Sequence, residues 1–257
     1  VTGVQTCALP ICEPITVIQN AHKGAVAQLA FGAEPALASV GAVDTMLLVH
    51  DWRSGVRLFS SSAFSKPLGI CFFSASSSSN SSMNTVTRSA WNSGGLVVCG
   101  ASEPYICFWH SEDIESNSKR LVPRRGVFGK RARRQPTLCA ASCGAEVVLT
   151  GGVDGSLGVW HGRNCVQCIK AHRGSLNAIH VSNHGVVTAG KDGKLRLWSL
   201  GLKPGAILDS SNLGCGNGYT SLRAVSFSAD GSRFLVGTGA NEVFEVSAVD
   251  GSDALGG

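Results

Sequence analysis

Two histidines in this sequence are each followed by a hydroxyl and then a carboxylate. The first set is His22, Ser39 and Asp44; the second is His172, Thr188 and Asp192, with Trp198 close behind. A histidine held between an acid and a hydroxyl is the arrangement that activates a nucleophile in hydrolases. The same residue types also satisfy a buried imidazole, which needs a partner at each ring nitrogen. The set recurs along the chain, which an active site does not do. No G-x-S-x-G turn is present to expose a nucleophilic serine. The sets therefore read as structural, the protein reads as a non-enzyme, and no cofactor is expected.

Other chemistry-bearing residues give weaker signals. "CAASC" (139–143) and "CVQC" (165–168) offer four thiols, the number a structural zinc ion takes. Both pairs fall on strand-like segments. Cys165 and Cys168 are three apart, so a regular strand turns them to opposite faces, and no metal is expected. "GCGNG" (214–218) lacks the Lys-Ser/Thr of a phosphate-binding loop and no helix pattern follows it. Ten cysteines, most inside apolar runs such as "GICFF" and "YICFW", behave as small hydrophobes and fit a reducing cytosol.

The net charge of +5 comes from one place. Eight of the 22 Lys and Arg residues lie between Lys119 and Arg134 with no acid among them, and in the rest of the chain the 17 acids outnumber the bases. Arg124, Arg125, Lys130, Arg131, Arg133 and Arg134 are the candidate partner contacts. A run of this kind attracts an acidic protein surface, a nucleic acid or an import receptor, or is a solvated loop. Phe128 is the one aromatic within it, so stacking platforms for nucleic-acid bases are missing. In the "GVFG" core, Val127 and Phe128 are expected to point inward and the basic residues outward.

The elements that must position these residues repeat. Five segments align: 37–52, 95–110, 147–162, 185–200 and 234–249. Each has an apolar strand, a polar turn residue (Asp44, Glu103, Asp154, Asp192 or Asn241) and an alternating strand ending at His50, Trp109, Trp160, Trp198 or Ser247. "VDG" and "KDG" are strong hairpin signals, because glycine supplies the positive φ of a tight turn. A further short strand precedes most repeats. The unit is about four strands long, the size of a propeller blade. An all-β, incomplete β-propeller of about five blades is expected over residues 15–250. It carries a Ser-rich insertion at 74–91, a basic inter-blade loop at 119–136 and an exit loop at 251–257.

The order His172, Thr188, Asp192, Trp198 resembles the tetrad that staples WD40 blades, and His22, Ser39, Asp44 a partial copy with His50 in the tryptophan place. Longer phrases are similar to one WD40 family, the echinoderm microtubule-associated protein-like proteins. These are "SVGAVDTMLLVHDWRSG", "GASEPYICFWH", the linker "RRGVFGKRARRQPTLCAA", "VVLTGGVDGSLGVWHGRNCVQCIKAHRGSLNAI", "VVTAGKDGKLRLW" and "RAVSFSADGSRFLVGTGANEVFEV". The resemblance implies a cytoplasmic, cytoskeletal scaffold binding microtubules or tubulin. It also implies tandem propellers preceded by a hydrophobic HELP motif and often a coiled coil. Here no heptads, HELP segment or second propeller is seen, so the chain reads as interior blades of one propeller. The alternative is a WD40 adaptor for protein partners unrelated to tubulin.

Composition agrees with a globular β protein: 44% hydrophobic, 15% charged, 32 glycines and 8 prolines. No apolar run reaches the roughly 18 residues of a membrane span, and no membrane partner or small-molecule substrate is expected. The repeat does not reach "VTGVQTCALPIC". Residues 1–11 resemble a translated sequencing-library adapter, and residues 1–14 are expected to be an artefact or disordered lead rather than a signal peptide.

Overall fold

The computed structural model describes residues 16–32, 35–62, 67–74, 94–100, 106–110, 114–115, 120–130, 132–213 and 221–253. The adapter-like start, Glu103, most of the Ser-rich insertion, Arg131 and the "GCGNG" segment lie outside them.

Among the described residues, short alternating strands punctuated by turns form five sheets, here called blades, in which successive hairpin-linked strands are antiparallel. Blade 1 holds β1 (Val26–Phe31), β2 (Ala36–Gly41), β3 (Met46–Asp51) and β4 (Arg57–Ser62). Blade 2 holds β5 (Pro67–Ser74), β6 (Gly94–Gly100) and β7 (Ile106–His110). The chain then passes through β8 (Ile114–Glu115) and β9 (Arg120–Leu121) before β10 (Arg124–Arg125) completes that sheet. Blade 3 holds β11 (Thr137–Ser142), β12 (Val147–Gly152), β13 (Ser156–His161) and β14 (Asn164–Lys170). Blade 4 holds β15 (Leu176–Ser182), β16 (Gly185–Gly190), β17 (Lys194–Trp198) and β18 (Pro204–Asp209), followed by a 3-10 turn at Ser210–Leu213. Blade 5 shows β19 (Leu222–Phe227), β20 (Arg233–Thr238) and β21 (Val243–Ser247), and Asp253 forms an antiparallel bridge to Val246.

The first strands of neighbouring blades pack on one another, β1 on β5, β5 on β11, β11 on β15 and β15 on β19, so the sheets form a propeller arc that is not closed. The core lies between the sheets rather than within any one of them. Leu96, Val98 and Trp109 meet Ala38, Val49 and Phe59 across the first seam, and Phe108 meets Val148 and Trp160 across the second. Leu149 and Leu157 meet Leu176 and Trp198 across the third, and Leu195 and Leu208 meet Leu222 and Phe234 across the fourth. A blade therefore buries its apolar faces only when its neighbours are in place.

One irregularity recurs in all five blades. The first strand carries a bulge near its start, where Val26, Pro67, Thr137, Leu176 and Leu222 each stand opposite the last residue of strand two. A bulge adds a residue and increases local twist, so the chain bends at the same place in each blade. The hairpin turns follow their sequence signals. Gly155 and Gly193 adopt φ of 83° and 72° in "VDG" and "KDG". In blade 1 the same position is Thr45, at φ 52°, a conformation a β-branched residue rarely takes.

Candidate functional site: buried turn networks and a basic strap

In blade 4 the residues singled out in the sequence converge. His172 reaches Asp192 Oδ1 through Nδ1 at 2.8 Å and Thr188 Oγ1 through Nε2 at 2.9 Å. The carboxylate can only accept, so Nδ1 carries the proton and Nε2 receives the threonine hydroxyl. The Trp198 indole N–H donates to the same Oγ1 at 3.1 Å. Burial pushes the pKa of His172 down despite Asp192, which keeps the ring neutral. For Asp192, burial pushes up, but the Arg173 amide and the imidazole outweigh it and hold the carboxyl below its ordinary range. A Cβ at Gly190 would fall 2.3 Å from His172 Nδ1 and 2.6 Å from Asp192 Oδ1, so only glycine leaves room for the pair.

Blade 1 repeats this with looser geometry. His22 Nδ1 lies 3.2 Å from Asp44 and Nε2 2.8 Å from Ser39 Oγ. His50 is buried in the tryptophan place, and burial lowers its pKa. The hydroxyls and imidazoles of both sets are turned on one another rather than toward an open cleft.

Two further networks were not read from the sequence. In blade 3, Gln135 takes the histidine's place: its Nε2 donates to Ser156 Oγ at 2.6 Å, its Oε1 accepts the Asp154 amide at 3.0 Å, and it fills the space above Gly152. Trp160 donates to Thr150 Oγ1 at 2.8 Å, as Trp198 does to Thr188. In blade 2 the equivalent of Thr150 is Val98, which has no acceptor. The Trp109 indole instead donates to Ser61 Oγ at 2.9 Å, on the outer strand of blade 1.

The basic run is not a plain loop. Arg120 pairs in parallel with Ser60 on blade 1, while Arg124 and Arg125 pair with Phe108 and Cys107 on blade 2. Val127 then bridges Asn164 on blade 3, its carbonyl accepting the Cys165 amide at 2.9 Å. Residues 120–130 are thus a strap across three blades. Phe128 anchors it, buried and edge-on to Trp160 with centroids 5.0 Å apart. Val127 was expected inward and is instead 44% exposed: backbone pairing with blade 3 turns its side chain out while Phe128 turns in. Arg124, Arg125, Lys130, Arg133 and Arg134 are exposed, and the last three make no ion pair with a described residue. The strap carries Arg124, Arg125 and Lys130 along the outer strands of blades 2 and 3, and Arg133 and Arg134 follow it before β11.

The cysteine expectation also needs correction. β14 is bulged, so Cys165 stands opposite Trp160 and Cys168 opposite Gly158, two residues apart on β13. Both thiols therefore share one face. Burial and the neighbouring Cys168 push Cys165 up to about 11, and burial pushes Cys71 and Cys139 up to about 12. Among the described residues no three His, Cys, Asp or Glu side chains group so as to hold a metal ion, and no helix is long and apolar enough to cross a membrane.

Comparison with known proteins agrees with the blade architecture. The family described as "WD domain, G-beta repeat" matches residues 163–199, which span the end of blade 3 and most of blade 4. A WD40 repeat is therefore present. The chain is 24% identical over 184 residues to the 77 kDa echinoderm microtubule-associated protein of Strongylocentrotus purpuratus, covering 68% of this chain and 24% of that protein. It is 25% identical over 109 residues to the ciliary WD repeat-containing protein ctxp80 of Euplotoides octocarinatus, covering 41% of this chain and 14% of that one. The chain thus spans a quarter or less of the length of these relatives. Among solved structures, the computationally designed protein Ika8 superposes with a TM-score of 0.58 at 16% identity, covering 90% of this chain and 61% of that one.

Proposed function

We propose that this chain is part of a non-catalytic WD40 scaffold whose basic strap docks on an acidic protein surface, and that this surface belongs to a microtubule. The observation that carries the reading is the strap. Arg124, Arg125 and Lys130 stand exposed on a strap whose backbone pairs with three sheets, and Arg133 and Arg134 stand exposed just beyond it; Lys130, Arg133 and Arg134 have no described acidic partner. An exposed array of cations steers and retains an acidic partner without a pocket. Phe128, the aromatic a nucleic acid would stack on, is committed to Trp160, which favours a protein partner. The similarity to an echinoderm microtubule-associated protein supports tubulin as that partner, and with it a cytoplasmic, cytoskeletal location. The histidine sets support a non-catalytic reading because their polar atoms are buried and mutually bonded.

A second reading, a WD40 adaptor for other proteins, draws on the family match being to the general repeat alone. Co-sedimentation of the full-length protein with microtubules separates the two. The first reading predicts pelleting that weakens as salt rises and falls when the acidic tubulin tails are removed. Absence of pelleting at low salt, with the protein folded, favours the adaptor.

A further inference from the structure

Among the described residues, the rim of the blade 4–blade 5 seam opposite the His172 network carries two imidazoles against the neighbouring blade. The Phe227 amide at the end of β19 donates to His180 Nδ1 on β15 at 3.2 Å. Beside it, His184 Nε2 donates to the Ala229 carbonyl at 3.3 Å, its ring lying over Gly231. Both imidazoles lie against Phe227, with centroids 5.9 Å and 6.5 Å from its ring, and Phe227 packs on Phe234. The position of His180, three rungs from the end of strand two, holds Ala30, Cys71, Ala141 and Ser226 in the other blades. No other first strand places a titratable imidazole there.

We propose that this rim is an acid-sensitive latch: His180 holds blade 5 to blade 4 as a neutral acceptor and releases the Phe227 amide when protonated. A ring nitrogen that accepts a backbone N–H has no proton of its own. Protonation places two N–H groups face to face and leaves a cation in a half-buried seam. Among the described residues, no strand packed against β15 carries a carboxylate to offset it. β11, β12 and β16, packed against β15, carry no charged residue. On blade 5, Arg223 lies at the far end of β19, Asp230 is taken by Ser228 and Ser232, and Arg233 pairs with Glu245. The His184 bond to Ala229 has a ring nitrogen as donor, not acceptor, so the latch turns on His180. Burial holds His180 below its ordinary 6.5. The neutral fold is therefore fully favoured above that value, and the advantage is lost as pH falls below it toward the folded value.

Hydrogen exchange across residues 222–231 of the full-length protein, corrected for intrinsic rates, tests this between pH 7.5 and 5.0. Protection at Phe227 should fall by up to about tenfold per pH unit below about 6.5. His180→Gln, whose side-chain carbonyl accepts without titrating, should remove that dependence, and His184→Gln should keep it. Flat protection in the parent, or the same decline in His180→Gln, overturns the latch. Should His180→Gln fail to fold, NMR titration of the parent decides: the Phe227 amide shift must follow the His180 ring, and independent movement overturns the proposal.

Discussion

Blade 4 and blade 2 bury the same kind of tryptophan by different means. In blade 4 the indole N–H of Trp198 ends on Thr188 of its own sheet, and His172 and Asp192 close the network locally. In blade 2, Val98 removes that acceptor and Trp109 reaches across to Ser61 of blade 1. Their outer edges differ in the same sense: β18 has six residues, whereas β10 has two, both arginines. Blade 4 is closed on itself. Blade 2 is held by its neighbours, and in place of a long fourth strand it carries the strap. The region that departs most from the repeat is thus the one that presents the run of exposed cations.

The largest test of this contrast is tryptophan truncation. Trp109→Ala and Trp198→Ala should each cost about 3–5 kcal/mol in denaturant unfolding. They should differ in where exchange protection is lost: β4 of blade 1 should loosen with Trp109→Ala alone. Undisturbed protection in β4 would mean the cross-blade bond does not hold the seam. Next in size, Thr188→Val strips Trp198 of its acceptor and His172 of its donor, and should cost about 2–3 kcal/mol by the same assay. Smaller again, Ser61→Ala leaves the Trp109 N–H without its acceptor at a cost of about 1–2 kcal/mol. Adding Val98→Thr should recover part of that loss by giving blade 2 the acceptor that blades 3 and 4 possess. No recovery would show that the two tryptophans are not equivalent.

The self-contained half of this contrast was legible in the sequence, because its signals are local. "KDG" fixes a turn, and His172, Thr188, Asp192 and Trp198 recur at repeat spacing, so the blade and its network can be read together. What could not be read depends on register or on a neighbour. Gln135 lacks the histidine dipeptide that marks blades 1 and 4, although its amide meets the same hydrogen-bonding need. The first-strand bulges leave no composition signal, and the bulge in β14 alone carries Cys168 to the face of Cys165. Ser61 and Trp109 are 48 residues apart, and nothing local in "LFSSS" points to an indole in the next sheet. In "GVFG" two adjacent apolar residues were both read as inward. Backbone pairing with blade 3 sends consecutive side chains to opposite sides, and Phe128 takes the buried one.

The smallest expected effect on stability belongs to the strap: reversing Lys130, Arg133 and Arg134 to Glu should move unfolding by less than about 0.5 kcal/mol, since exposed charges contribute little to folding. The same triple variant tests the central claim when compared in microtubule co-sedimentation with a charge-matched control, Arg173, Lys203 and Arg223 reversed on blades 4 and 5. The strap reading predicts that the first variant loses most of its low-salt pelleting while the second keeps it. Equal loss in both, or none in the first, would contradict it.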